Sequence, residues 1–122
     1  WKDASFDLVL QSTVFTSILD DDMKRSIARE MVRVLRPGGV ILWYDFFYNN
    51  PKNPNVRGID AAEIRTLFPG MTLHLYRVTL APPVARRLVP WTWMGAAVLE
   101  RLRLLNTHYL GVIETAQQKD TA

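Results

Sequence analysis

"FDLVLQSTVFTSILDDDMKRSIAREMVRVLRPGGVILWYDFF", Phe6 to Phe47, decides the fold. At its start, Ser5 to Ser12, the residues Phe6, Leu8, Val9 and Leu10 crowd into a short apolar run that ends on polar side chains. Such a run predicts a strand buried on both faces, as in parallel sheets, with Asp7 inside it. From Leu19 the period changes. Met23, Ile27, Met31 and Val34 recur on one helical face, while Lys24, Arg25, Arg29 and Arg33 are expected to face water. Asp20, Asp21 and Asp22 complement the positive end of the helix dipole, and Arg33 and Arg36 its negative end. Pro37, Gly38 and Gly39 then stop the helix, with a glycine free to adopt the left-handed conformation that closes it. Val40 to Phe47 is a second strand, apolar apart from Asp45 near its carboxyl end. Strand, helix and strand with short connections make a βαβ unit, whose crossover is right-handed.

Downstream, Tyr48 to Ile59 is too polar and too rich in proline for regular structure. Asp60 and Glu63 have capping-box spacing at the start of a short helix, with Ile64, Leu67 and Phe68 as its inner face. Met71 to Ala81 alternates Met71, Leu73 and Leu75 against Thr72, His74 and Tyr76, which suits a strand with one face less buried. Pro82 and Pro83 end it. Residues 82–106 read as a helical insertion in two pieces broken before Pro90, the second carrying Trp91, Met94, Val98, Leu102 and Leu105 at helical spacing. A last strand covers Thr107 to Ala116, and the residues from there on read as a frayed tail.

A length of 122 residues suits one domain. With 48% hydrophobic and 22% charged residues, the composition is that of a globular protein rather than a disordered one. The absence of cysteine excludes a disulfide framework and any thiolate metal site, and makes the cytoplasm the default compartment. No apolar run approaches the roughly 20 residues needed to span a bilayer. The opening "WKDASFD" has neither an initiator Met nor the pattern of a signal peptide, so we expect a segment of a longer protein. The net charge of +3 comes from eleven arginines and four lysines scattered along the chain, which argues against a nucleic-acid surface.

Phe6-Asp7-Leu8-Val9, followed at this distance by Leu35-Arg36-Pro37-Gly38-Gly39 and an apolar strand, resembles the latter half of a class I S-adenosylmethionine-dependent methyltransferase. The resemblance covers about Ser5 to Ala116. It implies an α/β fold over residues 1–122, a partial domain holding the second half of a Rossmann-like methyltransferase sheet. Parallel strands would be followed by an antiparallel closing pair, with helices packed on the sheet and 82–106 inserted between the last two strands. The implied cofactor is S-adenosyl-L-methionine. The family's glycine-rich loop and its ribose-binding acidic residue would both lie before residue 1, so the segment alone is expected to bind cofactor poorly and to be inactive.

In open α/β sheets ligands lie outside the carboxyl ends of the strands. By resemblance, the turn Gln11, Ser12, Thr13 and Phe15 borders the methionine part and sulfonium of the cofactor; alternatively Ser12 and Thr13 only satisfy a turn. Asp45 could serve as general base toward a small-molecule acceptor contacted by Tyr44, Tyr48, Asn49, Asn50 and Arg57, or it could cap backbone or pair with Arg57. His74 and His108, isolated from acids and cysteines, make no metal site and are expected to be structural. Trp91 and Trp93 are expected in the core, although with Arg86, Arg87, Arg101 and Arg103 they would also suit an anionic membrane surface. A different class of function, an assembly module or homo-oligomer pairing through the exposed edge of its first strand, fits the same sequence.

Overall fold

The computed structural model describes residues 1–102 and 105–115. In it the opening stretch folds as β1 (Phe6–Ser12), a 3-10 turn (Phe15–Ser17), α1 (Asp21–Val34) and β2 (Leu35–Phe46). α2 (Ala61–Leu67), β3 (Met71–Leu80), α3 (Pro82–Leu88), α4 (Trp93–Arg101) and β4 (Asn106–Thr115) follow. The strands form one mixed sheet in the order β1-β2-β4-β3: β1 and β2 run parallel, while β4 is antiparallel to both β2 and β3. An α/β sheet that closes with an antiparallel pair is the architecture the sequence predicts.

Local chemistry explains most boundaries. Asp20 caps α1 by accepting from the Met23 amide at 2.8 Å, an interaction worth about 1 kcal/mol. The helix ends at Val34, earlier than Pro-Gly-Gly, because Leu35 already has extended backbone and pairs with Phe6. Between the pairs Phe6↔Leu35 and Leu8↔Val40, β2 advances five residues while β1 advances two. Arg36 to Gly39 therefore bulge out of the ladder, and the left-handed Gly38 (φ 78°) turns this bulge rather than capping the helix. Across it Arg36 donates to both carboxylate oxygens of Asp7, at 3.0 and 2.8 Å, so the two halves of the recognisable motif touch. At α2, Asp60 accepts from the Glu63 amide at 2.8 Å, but the Glu63 carboxylate turns to Lys24 and Arg57 instead of completing the box.

One face of the sheet carries the core. Phe15, Ala28, Met31, Ile41, Trp43, Ile64, Phe68 and Ile113 are buried together, so the 3-10 turn, α1 and α2 cover this side. Phe15 and Trp43 meet at 4.8 Å and Trp43 and Phe68 at 6.0 Å, and each such ring contributes about 2–3 kcal/mol by burial. The α1 face differs from the periodicity reading. Lys24, expected in water, is buried against Glu63, and Met23 is exposed, because α2 brings a carboxylate to that side of the helix.

The expectation that β1 is buried on both faces does not hold. Leu8 and Leu10 are 55% and 68% exposed, since β1 is the outer strand and no described helix lies over that side. Nor do Trp91 and Trp93 reach the core. They are 88% and 72% exposed, Met94, Val98, Leu102 and Leu105 are exposed with them, and Ala96 alone of α4 is buried. α3 and α4 pack on each other and α4 touches β3, which leaves the apolar side of α4 outward. The predicted tail, with Ala116 and Arg103, lies outside the described residues.

Candidate functional site

The parallel pair β1 and β2 ends in one place, where Ser12 lies beside Tyr44 and the Thr13 amide donates to the Tyr44 carbonyl at 2.8 Å. Thr13 has φ 54°, a left-handed conformation that a β-branched residue adopts only under constraint. Ser12 and Thr13 are exposed, so the turn presents its hydroxyls outward. Gln11 is buried, and its Nε2 donates to Asp45 Oδ2 at 2.8 Å. Phe15 does not join this surface. It is fully buried against Trp43, because the 3-10 turn points it inward.

Asp45 is 1% exposed, and its carboxylate accepts four hydrogen bonds: Gln11 Nε2, the Thr16 amide (3.3 Å), Thr16 Oγ1 (2.6 Å) and the Phe46 amide (3.0 Å). It ties the turn after β1 to the end of β2 from the helix-covered side. Gln11 Oε1 in turn is buried with no hydrogen-bond partner among the described residues, an acceptor left over beside the turn.

Strand alternation separates Asp45 from its neighbours, since successive side chains point to opposite faces. Tyr44 and Phe46 lie on the other face, where His108, paired with Phe46 across β4, stacks on Tyr44 at 4.9 Å and 12°. A pocket of about 280 Å³ opens there between Phe46, Tyr48, Asn50, Asn53, Val56 and His108. The Tyr44 hydroxyl bonds Thr79 Oγ1 at 2.9 Å, and Thr79 is a second left-handed threonine, at φ 64°. Burial holds the His108 imidazole below the ordinary histidine range, partly opposed by the charge of Asp45. Periodicity within one strand could have separated Asp45 from Tyr44 and Phe46. Nothing local could have placed His108, whose position depends on β4 pairing with β2.

The loop is held from both ends. The Phe47 amide donates to the Thr107 carbonyl at 3.1 Å, the Ile59 amide to that of Phe46 at 3.0 Å and the Arg57 amide to that of Thr16 at 2.9 Å. Asn49 accepts from the Gly58 amide at 3.0 Å, and a Cβ on Gly58 would lie 2.5 Å from Tyr48 backbone, so only glycine permits this approach. The Arg57 side chain leaves the pocket side altogether and pairs with Asp21 and Glu63, because α1 and α2 set both carboxylates beside it. That hydrogen bond lowers the Asp21 carboxyl below its usual range and raises the Arg57 guanidinium. Tyr48 and Asn50 thus line the pocket, Tyr44 backs it by stacking on His108, Asn49 braces the loop, and Asp45 and Arg57 belong to the opposite side. His74 lies on the surface, 3.7 Å from Glu114. Among the described residues no group of His, Asp and Glu could hold a metal, and no described helix is long and apolar enough to cross a membrane.

This mixed sheet, a parallel pair closed by antiparallel strands, has the fold of solved SAM-dependent methyltransferases. Residues 1–43 match the methyltransferase domain family. A SAM-dependent methyltransferase from Archaeoglobus fulgidus superimposes with a TM-score of 0.61 at 10% identity, over 92% of this chain and 60% of that one. Another from Methanosarcina mazei gives 0.59 at 13% identity, over 96% of this chain and 63% of that one. The cyclase SpnF gives 0.55 at 16% identity, over 95% of this chain and 52% of that one. The chain therefore spans less than two thirds of these structures, and at such identities the likeness is one of fold. No curated protein matches the sequence. A cyclase on the same fold means that activity must be argued from the site.

Proposed function

We propose that this chain is the acceptor-side, C-terminal part of an S-adenosylmethionine-dependent methyltransferase that acts on a small molecule in the cytoplasm. The observation that carries the reading is the meeting of two features at the carboxyl ends of β1 and β2. There the exposed Ser12-Thr13 turn is tied through the Tyr44 carbonyl to an aromatic pocket without a charged wall. Gln11, Ser12 and Thr13 would hold the cofactor on this chain's side. The orphaned Gln11 Oε1 supports that fit, because the ammonium of an amino-acid-type cofactor is a donor of the kind it lacks. When bound, the cofactor supplies a methyl group on an already activated sulfonium. The chain's own residues then have to orient an acceptor and exclude water, which is worth several kcal/mol when the geometry is right. Tyr44, Tyr48 and Asn50 contact the acceptor, and Asp45 is a positioning residue that fixes the turn. Calorimetry with S-adenosylmethionine and transfer of labelled methyl, on the protein that contains this chain, test the reading; absence of both sinks it.

A second reading follows from the outer strand. Leu8 and Leu10 are exposed on β1, whose outer edge is unpaired among the described residues, which supports a further strand or a second chain adding to β1. If size exclusion found the isolated chain strictly monomeric and fully folded, the edge would not be an assembly surface.

A further inference from the structure

We propose that His108 is the proton-accepting residue of the pocket, and that the pocket takes a neutral, flat molecule bearing a phenol-type hydroxyl. The inference rests on the methyl-transfer reading for its chemistry, and on the pocket alone for its ligand.

Tautomer and orientation come from a chain of hydrogen bonds. Thr107 Oγ1 donates to the Thr79 carbonyl at 3.3 Å, so its lone pair is free to accept from His108 Nδ1, 2.9 Å away. With the proton on Nδ1, Nε2 carries the lone pair. No described side chain bonds Nε2, and the ring lines the pocket. Its plane is fixed as well, stacked on Tyr44, whose hydroxyl is held by the left-handed Thr79. A β-branched residue kept in that conformation marks a site that the surrounding structure over-determines.

The walls define the ligand. None of the six lining residues is an acid, Lys or Arg, so a charged acceptor would lose its hydration without gaining a partner. Phe46 meets His108 edge-on at 6.0 Å and Tyr48 at 6.0 Å in a tilted contact, an arrangement that receives a flat ring. At the rim, the Asn50 and Asn53 side-chain oxygens accept from the amides of Lys52 and Asn55, at 3.0 and 3.1 Å. Their amino groups remain as donors for oxygens on the ligand. A neutral imidazole can relieve a phenol, with a pKa of about 10, of its proton as the new bond forms. An aliphatic hydroxyl, closer to the 15.7 of water, lies beyond its reach.

In the step itself the hydroxyl proton passes to Nε2. The freed oxygen pair forms the O–C bond while the methyl carbon's bond to the donor sulfur breaks, leaving that pair on sulfur, and the imidazolium then returns its proton to solvent. The groups that bear on the charge of His108 are Asp45 on the far side of β2, the phenols of Tyr44 and Tyr48, and the Thr107 hydroxyl. Burial outweighs the charge of Asp45 and holds the ring below the ordinary 6.5, so the neutral base predominates at neutral pH.

The test uses 4-methylphenol, which stays neutral across the range where histidine titrates. Calorimetry on the full chain should show binding that is lost as His108 protonates, and NMR should show the His108 titration moving to lower pH when the probe is bound. H108Q should weaken binding about tenfold, the equivalent of one hydrogen bond, and abolish its pH dependence. H74Q, on the surface strand, should change neither. Equal affinity of H108Q and wild type, or an unmoved His108 titration in the wild-type chain, overturns the proposal; the second readout stands even if H108Q fails to fold. Binding of 4-methylphenol without any methyl transfer would sink the proposed function and leave this pocket assigned. Methyl transfer by a protein that does not bind the phenol would sink this inference alone.

Discussion

Replacing Asp45 by asparagine separates a carboxylate that positions from one that reacts. In the native chain its two oxygens accept from Gln11 Nε2, the Thr16 amide, Thr16 Oγ1 and the Phe46 amide. Asparagine keeps one oxygen and sets an amino group where the other was. The least costly arrangement puts that amino group toward Gln11, which can flip to offer its orphaned Oε1, and sacrifices the long contact to the Thr16 amide. Hydrogen bonds to a charged group contribute about 1.5–3 kcal/mol each and neutral ones about 1, so four charged bonds becoming three neutral ones loses about 3 kcal/mol or more. Burying a neutral amide in place of an ion offsets part of this, leaving about 2 kcal/mol. In urea, with a slope of about 2 kcal/mol per molar, the midpoint should fall by about 1 M. Asp45→Ala, which strands every donor, should cost more than Asp45→Asn. Thr16→Val combined with Asp45→Asn should show a coupling of about 1 kcal/mol in a double-mutant cycle. If Asp45→Asn unfolded at the wild-type midpoint, the carboxylate would not be a clamp, and its assignment as a positioning residue would fall.

The Lys24–Glu63 pair should respond asymmetrically. Glu63→Gln leaves the buried ammonium with Asp21, at 4.0 Å, as its remaining carboxylate among the described residues and should cost about 3 kcal/mol, whereas Lys24→Met fills the same volume while Glu63 keeps Arg57, and should cost about 1 or less by urea unfolding. Equal costs would mean that Lys24 is solvated in the native state. His108 predicts a pH slope. Its folded pKa lies below the ordinary 6.5, so the unfolded chain takes up the proton first, and stability present above that value is lost as pH falls toward the folded pKa. His108→Asn should remove this component from thermal melts; an unchanged profile would count against the buried, neutral ring. Trp91 and Trp93 project outward with the exposed Arg86, Arg87 and Arg101 nearby, so the chain should sediment with anionic vesicles and not neutral ones, less at high salt, and W91S/W93S should lose the effect. Sedimentation indifferent to lipid charge would refute a role for those arginines.

What the sequence discloses divides along physical lines. The strands and helices come from local patterns: the apolar runs at Val9 and Ile41, the Asp20 and Asp60 caps, the alternation of Met71, Leu73 and Leu75. Lys24 defeats the amphipathic template because that template sends charges to water and cannot see Glu63, which only tertiary packing brings to 2.7 Å. Trp91 and Trp93 defeat the rule that aromatics go inside, because among the described residues no element packs over that side of α4. His108 is hidden by topology, since the insertion of β4 between β2 and β3 cannot be read from order along the chain.

The same topology explains why β2 can serve two purposes at once. On its helix-covered face Ile41, Trp43 and Asp45 are all buried, so a change there is felt as stability and reaches the site only by loosening the Ser12-Thr13 turn. On the opposite face Tyr44 and Phe46 meet His108, so a change there alters the walls of the pocket while the core beneath is untouched. Loss of binding without loss of stability should therefore follow the even-numbered positions at the end of β2, and loss of stability the odd-numbered ones. A variant of Phe46 that unfolded the chain, or one of Trp43 that spared it, would contradict this division of the strand.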